Sequence, residues 1–243
     1  MAGALAQLFG VSEDTVRRDL REMAAAGLCR RVYGGALSLV PPDRPMSERL
    51  VVAPDRKAAL AEAAVGLIEA GMTVFLDASS TNVAIARRLP PGMRLTVATN
   101  APVIAAELVE RAGTEIIVIG GRVDPVVGAA VDAKAMRDAE ALRPDLLVLG
   151  ACGFDAAVGI TATRYDDAEF KRFVAERSNS VVAALTNEKI GVPTPYPVFA
   201  LSRCAAIVLE HDAGDDALAA IRRAGTRVVT APSPEGSGRR KDT

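Results

Sequence analysis

Two sets of residues in this chain carry side chains suited to chemistry. The first is Ser12, Thr15, Arg17, Arg18, Arg21, Arg30 and Arg31. Guanidinium groups grip phosphates and base edges with paired hydrogen bonds, and hydroxyls add phosphate contacts. The second set is spread out: Asp77, Ser79, Ser80 and Thr81, then Thr99 and Asn100, then Gly120 and Gly121, then Gly153 and Asp155, then Glu169 and Lys171, and finally Lys189. Hydroxyls, bare backbone amides and lysines suit a phosphate or another anion.

The first set needs a helix to present it. Gly10 permits a tight turn, Ser12 is a good N-cap, and Glu13 and Asp14 place negative charge in the first turn. Val16, Leu20 and Met23 recur at helical spacing and predict one apolar stripe, with Thr15, Arg17, Arg18 and Arg21 off it. Leu5, Ala6, Leu8 and Phe9 predict the end of a short helix packed against that stripe. Gly27 to Ala36 reads as a β-hairpin holding Arg30 and Arg31. Helix, turn, helix and basic hairpin make a winged helix-turn-helix, which sets a helix in a major groove and its wing on phosphates. Bulk charge is neutral on this point: residues 1–40 hold five arginines against four acidic residues, and the whole chain has a formal net charge of −1. The clustering of all five arginines between 17 and 31 is the better sign.

The second set needs strand ends. After a linker-like Val40-Pro41-Pro42-Asp43-Arg44-Pro45, a helix is expected from Asp55 to Glu69, and then strands and helices alternate. Strands are expected at Thr73–Asp77, Leu95–Thr99, Glu115–Ile119, Asp145–Leu149, Ser180–Leu185, Ala205–Leu209 and Thr226–Val229. Intervening helices are expected over Asn82–Leu89, from Pro102, over Ala133–Leu142 and over Asp166–Glu176. That alternation implies a parallel sheet covered by helices, whose ligands bind beyond the carboxyl ends of the strands. Four successive strands end in small or hydroxyl residues. Ser-Ser-Thr before a helix is also the make-up of an ordinary cap, and Gly-Gly after a strand that of an ordinary turn. Glu169 and Lys171, two apart on a helix, do not face each other and equally fit a solvated surface.

Composition excludes several classes. Cys29, Cys152 and Cys204 lack metal-ligand spacing and the chain has a single histidine, so no metal is expected. No Gly-x-Gly-x-x-Gly follows a strand, so no dinucleotide or other cofactor is expected. No apolar run reaches membrane-spanning length, and a cytoplasmic location is expected.

Val11-Ser12-x-x-Thr15-Val16-Arg17-Arg18-Asp19-Leu20, with Gly27-Leu28-x-Arg30 and Tyr33-Gly34-Gly35-Ala36, resembles the N-terminal signature of the DeoR family of bacterial transcriptional regulators. That family has a further helix before the one ending at Phe9, so the resemblance implies an N-terminally truncated domain. It continues through Asp77, Ser80, Thr81, Thr99, Asn100, Gly120, Gly121, Gly150, Gly153, Asp155, Gly159, Thr161, Lys171, Arg172, Lys189 and Gly191. Ala78, Ile160 and Thr186 depart from the family pattern, and Glu169, one residue off the Glu-x-x-Lys-Arg spacing, is expected to serve the same place. If the family glycine at 78 has positive φ, Ala78 would cost about 1 kcal/mol. The resemblance covers nearly everything from Met1 to about Leu209. It implies a fold similar to ribose phosphate isomerases and CoA transferases, and a phosphorylated sugar or related metabolite as effector.

The expectation is therefore an α/β protein: a small winged helix-turn-helix over 1–40, a linker over 41–54, an effector-binding parallel-sheet domain over 55–231 and a disordered tail over 232–243. Thr15, Arg17, Arg18 and Arg21 are expected to meet double-stranded operator DNA, with Ser12, Arg30 and Arg31 on phosphates. Ser80, Thr81 and Lys189 are expected on the effector phosphate, and Asp77, Asn100, Asp155 and Lys171 around its sugar. Reading an operator with one helix per subunit implies a homodimer or larger assembly. The alternative is an isomerase or transferase of the same fold, using Asp155, Glu169 or Lys171 as acid or base. Against it, an enzyme has no use for residues 11–36, and the one histidine, His211, sits far from the expected strand ends. A third reading is a metabolite-binding module without DNA affinity.

Overall fold

The computed structural model describes residues 2–25, 29–32, 35–38 and 44–233. The expected hairpin turn at Tyr33-Gly34, most of the expected linker core and the tail from residue 234 lie outside them. The chain divides into two compact units, Met1–Pro42 and Asp43–Thr243.

In the first unit, helix α1 (Ala2–Phe9) and helix α2 (Glu13–Ala25) precede strands β1 (Cys29–Val32) and β2 (Gly35–Ser38). The two strands pair antiparallel, Cys29 with Ser38 and Val32 with Gly35, as the wing reading requires. Gly10 turns the chain at φ +64°, and the Ser12 hydroxyl accepts the Thr15 amide at 3.1 Å, closing the helix start. Ala2, Ala6 and Val16 form the core, flanked by Leu5 and Leu20. Leu8, Phe9 and Met23, expected in the contact, are instead 74%, 67% and 42% exposed. The eight residues of α1 span only about 12 Å at 1.5 Å each, too short to cover the 13 residues of α2.

The second unit begins with helix α3 (Met46–Val51), inside the expected linker, and helix α4 (Pro54–Val65), which stops at Gly66 rather than running on to Glu69. Met46 is buried in the core of this unit, so the segment around it is packed structure rather than a free connector. There follow β3 (Thr73–Leu76), α5 (Ser80–Arg88), β4 (Leu95–Thr99), α6 (Pro102–Leu108), β5 (Thr114–Val118), β6 (Val123–Asp124), β7 (Ala129–Ala130), α7 (Ala133–Glu140) and β8 (Leu146–Leu149). Then come β9 (Gly153–Asp155), β10 (Gly159–Ala162), α8 (Tyr165–Arg177), β11 (Ser180–Leu185), β12 (Tyr196–Phe199), β13 (Ala206–Leu209), α9 (Asp215–Arg223) and β14 (Arg227–Thr230).

The main sheet runs β14-β13-β11-β8-β3-β4-β5, and each of its pairings is parallel. Its central strands, such as Leu146–Leu149, are buried along their whole length, as a sheet covered on both faces demands. The order reverses around β3 and β8: β4 and β5 lie on one side, β11, β13 and β14 on the other. That is where an open parallel sheet leaves a crevice for a ligand. Two small antiparallel sheets, β6-β7 and β12-β10-β9, stand beside the main one. Ala53, between α3 and α4, is at φ +48°; it is the one non-glycine residue with positive φ among those described. Ala78 therefore carries no left-handed backbone, and the cost expected for it does not arise.

Candidate functional site

On α2 the candidate groups face solvent. Arg17 lies 2.8 Å from Glu13 and 3.9 Å from Asp14, Arg18 lies 3.8 Å from Asp19, and Arg21 donates to the Arg17 carbonyl at 3.3 Å. Exposed pairs of this kind are worth only about 0.3–0.5 kcal/mol, so an incoming phosphate displaces them at little cost. The Ser12 and Thr15 hydroxyls hydrogen-bond each other at 2.9 Å, and Thr15 is half-buried. Arg30 and Arg31 sit on the wing strand β1, at the positions paired with Leu37 and Ala36.

In the second unit the residue following β3 anchors a buried charge cluster. Asp77 accepts the Gly150 amide at 2.6 Å and the Asn82 side-chain amide at 2.9 Å, and its other oxygen lies 3.4 Å from Lys171 Nζ. Lys171 also donates to Asp167. Asp77, Lys171 and Asp167 are all at least 96% buried. Burial pushes the Asp77 carboxyl up to about 6, with Lys171 opposing and Asp167 reinforcing the rise. Burial also works against the Lys171 charge, but the two carboxylates more than offset it and hold the lysine above its ordinary range. Helix α8 begins at Tyr165, so Lys171 falls in its middle and on its inner face, not at its start or on a solvated surface. Glu169 pairs with Arg172, and it is Asp167, four residues before Lys171, that pairs with that lysine.

The other strand-end residues have distinct places. Ser79 caps α5 by accepting the Asn82 amide at 3.1 Å. Thr81 Oγ1, Asn82 Oδ1 and Asn100 Oδ1 are buried and accept no hydrogen bond among the described residues. Thr99 donates to the Leu76 carbonyl and accepts the Ala101 amide, while the Asn100 amide holds the Ala130 carbonyl of β7 at 2.9 Å. Gly121 is a turn glycine at φ +140°, where a Cβ would sit 2.5 Å from Asp132 Oδ1. At Gly120 a Cβ would approach only the ends of Asp138 and Lys134, at 3.6 Å. A Cβ at Gly153 would strike the Val192 carbonyl at 2.0 Å, so strand packing demands that glycine. Asp155 accepts the amides of Ala157 and Val158, holding the β9–β10 turn.

A cleft of about 230 Å³ lies between α3, α4 and α5, lined by Lys57, Arg87 and Arg88, by the carboxylate of Asp55 and by Ser80, among others. The Ser80 side chain is largely buried and its hydroxyl makes no hydrogen bond among the described residues. Lys57, which the sequence reading missed, donates to the Arg49 and Val52 carbonyls at the end of α3. Burial and the neighbouring charge of Lys189 push its ammonium down to about 8. Lys189 donates to the Ala151 carbonyl at 2.8 Å and is itself held below the ordinary lysine range, by burial first. Nothing in a mainly apolar helix marks Lys57 as different from a solvated lysine. The i, i+4 spacing of Asp167 and Lys171 was the one available sign of that pair.

Among the described residues no cluster of His, Cys, Asp or Glu could hold a metal ion, and no helix is long and apolar enough to cross a membrane. Residues 52–211 match the family model described as the DeoR C terminal sensor domain, and residues 2–41 match that of the DeoR-like helix-turn-helix domain. The HTH-type transcriptional regulator GolR of Listeria innocua is 32% identical over 77% of this chain and 75% of its own length. The glycerol-3-phosphate regulon repressor of Escherichia coli is 29% identical over 77% and 75%. Among solved structures, ribose 5 phosphate isomerase A from Neisseria gonorrhoeae overlaps 56% of this chain and 53% of its own, at 14% identity and a TM-score of 0.42.

Proposed function

Because the chain belongs to the DeoR family of DNA-binding transcriptional regulators, and is not an enzyme, we propose that it represses a carbohydrate-metabolism operon under control of a phosphorylated sugar or related metabolite. The observation that carries the effector reading is the unbonded Ser80 hydroxyl sharing a cleft with Lys57, whose ammonium is crowded by Lys189. Ser80, Lys57 and Lys189 bind the phosphate, and Thr81 stands beside them. A relative named for glycerol 3-phosphate, itself a phosphate ester, agrees with that choice. Thr15, Arg17, Arg18 and Arg21 of α2 meet the operator, with Ser12, Arg30 and Arg31 on its phosphates. The protein acts in the cytoplasm as a homodimer or larger assembly, because one helix per chain reads one half-site.

Thermal melting with inorganic phosphate and with sugar monophosphates tests the effector site, since a ligand of the native state raises its melting point. We expect an upward shift in the wild type and none in Ser80→Asp, which sets a like charge where the anion docks. An unchanged melting point in the wild type, or an undiminished shift in Ser80→Asp, would refute the assignment.

A further inference from the structure

Helix α3 is the first element of the second unit, and residues 43–45 alone separate it in sequence from Pro42, where the first unit ends. Its six residues make less than two turns, and Pro45 at its start supplies no side-chain cap. A helix that short does not hold itself together in water. Contacts with the rest of its unit hold it instead. We propose that α3 is a movable wall of the Ser80 cleft: an anion in the cleft locks it in place, and that locking carries effector occupancy to the chain entering the DNA-binding unit. This rests on the phosphate site proposed above.

Four observations support it. First, α3 takes part in the cleft, since its Leu50 lines the cavity together with Pro54 and Lys57 of α4 and Ser80 of α5. Second, one attachment of α3 comes from the same cavity: the Lys57 ammonium donates to the Arg49 and Val52 carbonyls. Lys57 therefore serves both the cleft and the helix. Whichever event comes first, docking or anion binding, orders that side chain for the other.

Third, the attachment at the other end of α3 is firm. Met46 presses on Gly128 so closely that a Cβ at the glycine would come within 2.5 Å of the methionine Cβ. Arg49 donates to the Val126 and Val127 carbonyls at 3.1 and 2.7 Å. These partners lie in the turn between β6 and β7, which Asp124 closes by accepting the amides of Val126, Val127 and Gly128. Fourth, Ala53, the joint between α3 and α4, is held at φ +48°, a conformation that a residue with a Cβ keeps only while its surroundings enforce it. Local opening is drawn from short, strained segments of this kind, and a ligand that favours the closed form shifts the balance.

The test uses the full chain, with inorganic phosphate and D-glucose 6-phosphate as probes. Hydrogen exchange followed by mass spectrometry reports on residues 46–52, and calorimetry reports affinity. We expect either probe at saturation to slow exchange over 46–52 about fivefold or more in the wild type. Met46→Ala removes the anchor at Gly128 without changing any charge, and Met46 is not among the residues that line the cleft. It should speed exchange over 46–52 and, because docking and binding are linked, weaken both probes about fivefold. The change in operator affinity that D-glucose 6-phosphate causes in a gel-shift titration should shrink with it. Should Met46→Ala fail to fold, Met46→Val, a smaller truncation, takes its place. Unaltered exchange over 46–52 at saturation, wild-type affinity for the probes in a variant whose α3 exchanges faster, or an undiminished operator response in that variant overturns the proposal while leaving the phosphate site standing. No binding of either probe by the wild type overturns the phosphate reading, and this proposal with it.

Discussion

Replacing Lys171 with Met removes the one cation between two buried carboxylates and leaves an unbranched side chain only one atom shorter. Asp77 is already raised from 3.8 to about 6 with the lysine in place, a cost near 3 kcal/mol at 1.36 kcal/mol per pH unit. At pH 7 the Asp77 carboxyl escapes further cost by taking up a proton, which limits its penalty to about 4 kcal/mol. Asp77 can therefore lose only about 1 kcal/mol more. Asp167 gives up its ammonium partner from a 96% buried position and supplies the rest. The sum is about 3–5 kcal/mol at pH 7, the range found when one member of a buried ion pair is deleted. At pH 5 Asp77, raised to about 6, is already mostly protonated with the lysine in place, so its share of about 1 kcal/mol drops out and the loss shrinks. The sign also runs this way in the wild type. The raised Asp77 value means that the stability from its protonated form is full below 3.8 and gone above about 6, so mild acid strengthens this locus. Urea unfolding followed by circular dichroism at both pH values, with Lys171→Met/Asp167→Asn as the compensated variant, measures the effect. A loss under about 1 kcal/mol at pH 7, or an equal loss at pH 5, would show that the three groups are not coupled as described.

Lys57, lowered to about 8, gives a second expectation: phosphate affinity should fall as pH rises through about 8, and Lys57→Met should flatten that dependence, both read by calorimetry. The same depression means that the folded chain gains stability from this group as pH climbs from about 8 towards its ordinary 10.5, so weaker binding there cannot be put down to unfolding at Lys57. On α2, Arg17→Ala should weaken operator binding in a gel-shift titration, by about 1–3 kcal/mol if the guanidinium meets a base edge. Its only described partners are two exposed carboxylates, so the melting point should barely move.

Helix α2 was legible because its cap, its acidic first turn and its apolar spacing are all local. The central strands were legible as short apolar runs between glycines and polar turns. Strands β9, β10 and β12 were not, since Gly153-Phe154-Asp155 becomes a strand only by pairing with residues 159–161, and β10 in turn pairs with residues 196–199. The position of Asp77, Ser80 and Lys189 at strand ends could be read from the alternation of elements. The use of each could not. Thr99 looks like a ligand group in sequence, yet its hydroxyl is spent on the Leu76 carbonyl; Lys57 looks like a surface lysine, yet it is 7% exposed. Burial is a property of the packed chain, and it turned a solvated Lys171 into a buried counter-ion.

The bend at Ala53 gives Lys57 a double allegiance. A left-handed backbone at a residue with a Cβ costs roughly 1–2 kcal/mol, and the lysine hydrogen bonds to Arg49 and Val52 fasten the chain on its near side. Those two carbonyls take two of the ammonium's three protons and leave one directed elsewhere. An anion that took the third would tie the cleft and the taut corner to the same side chain.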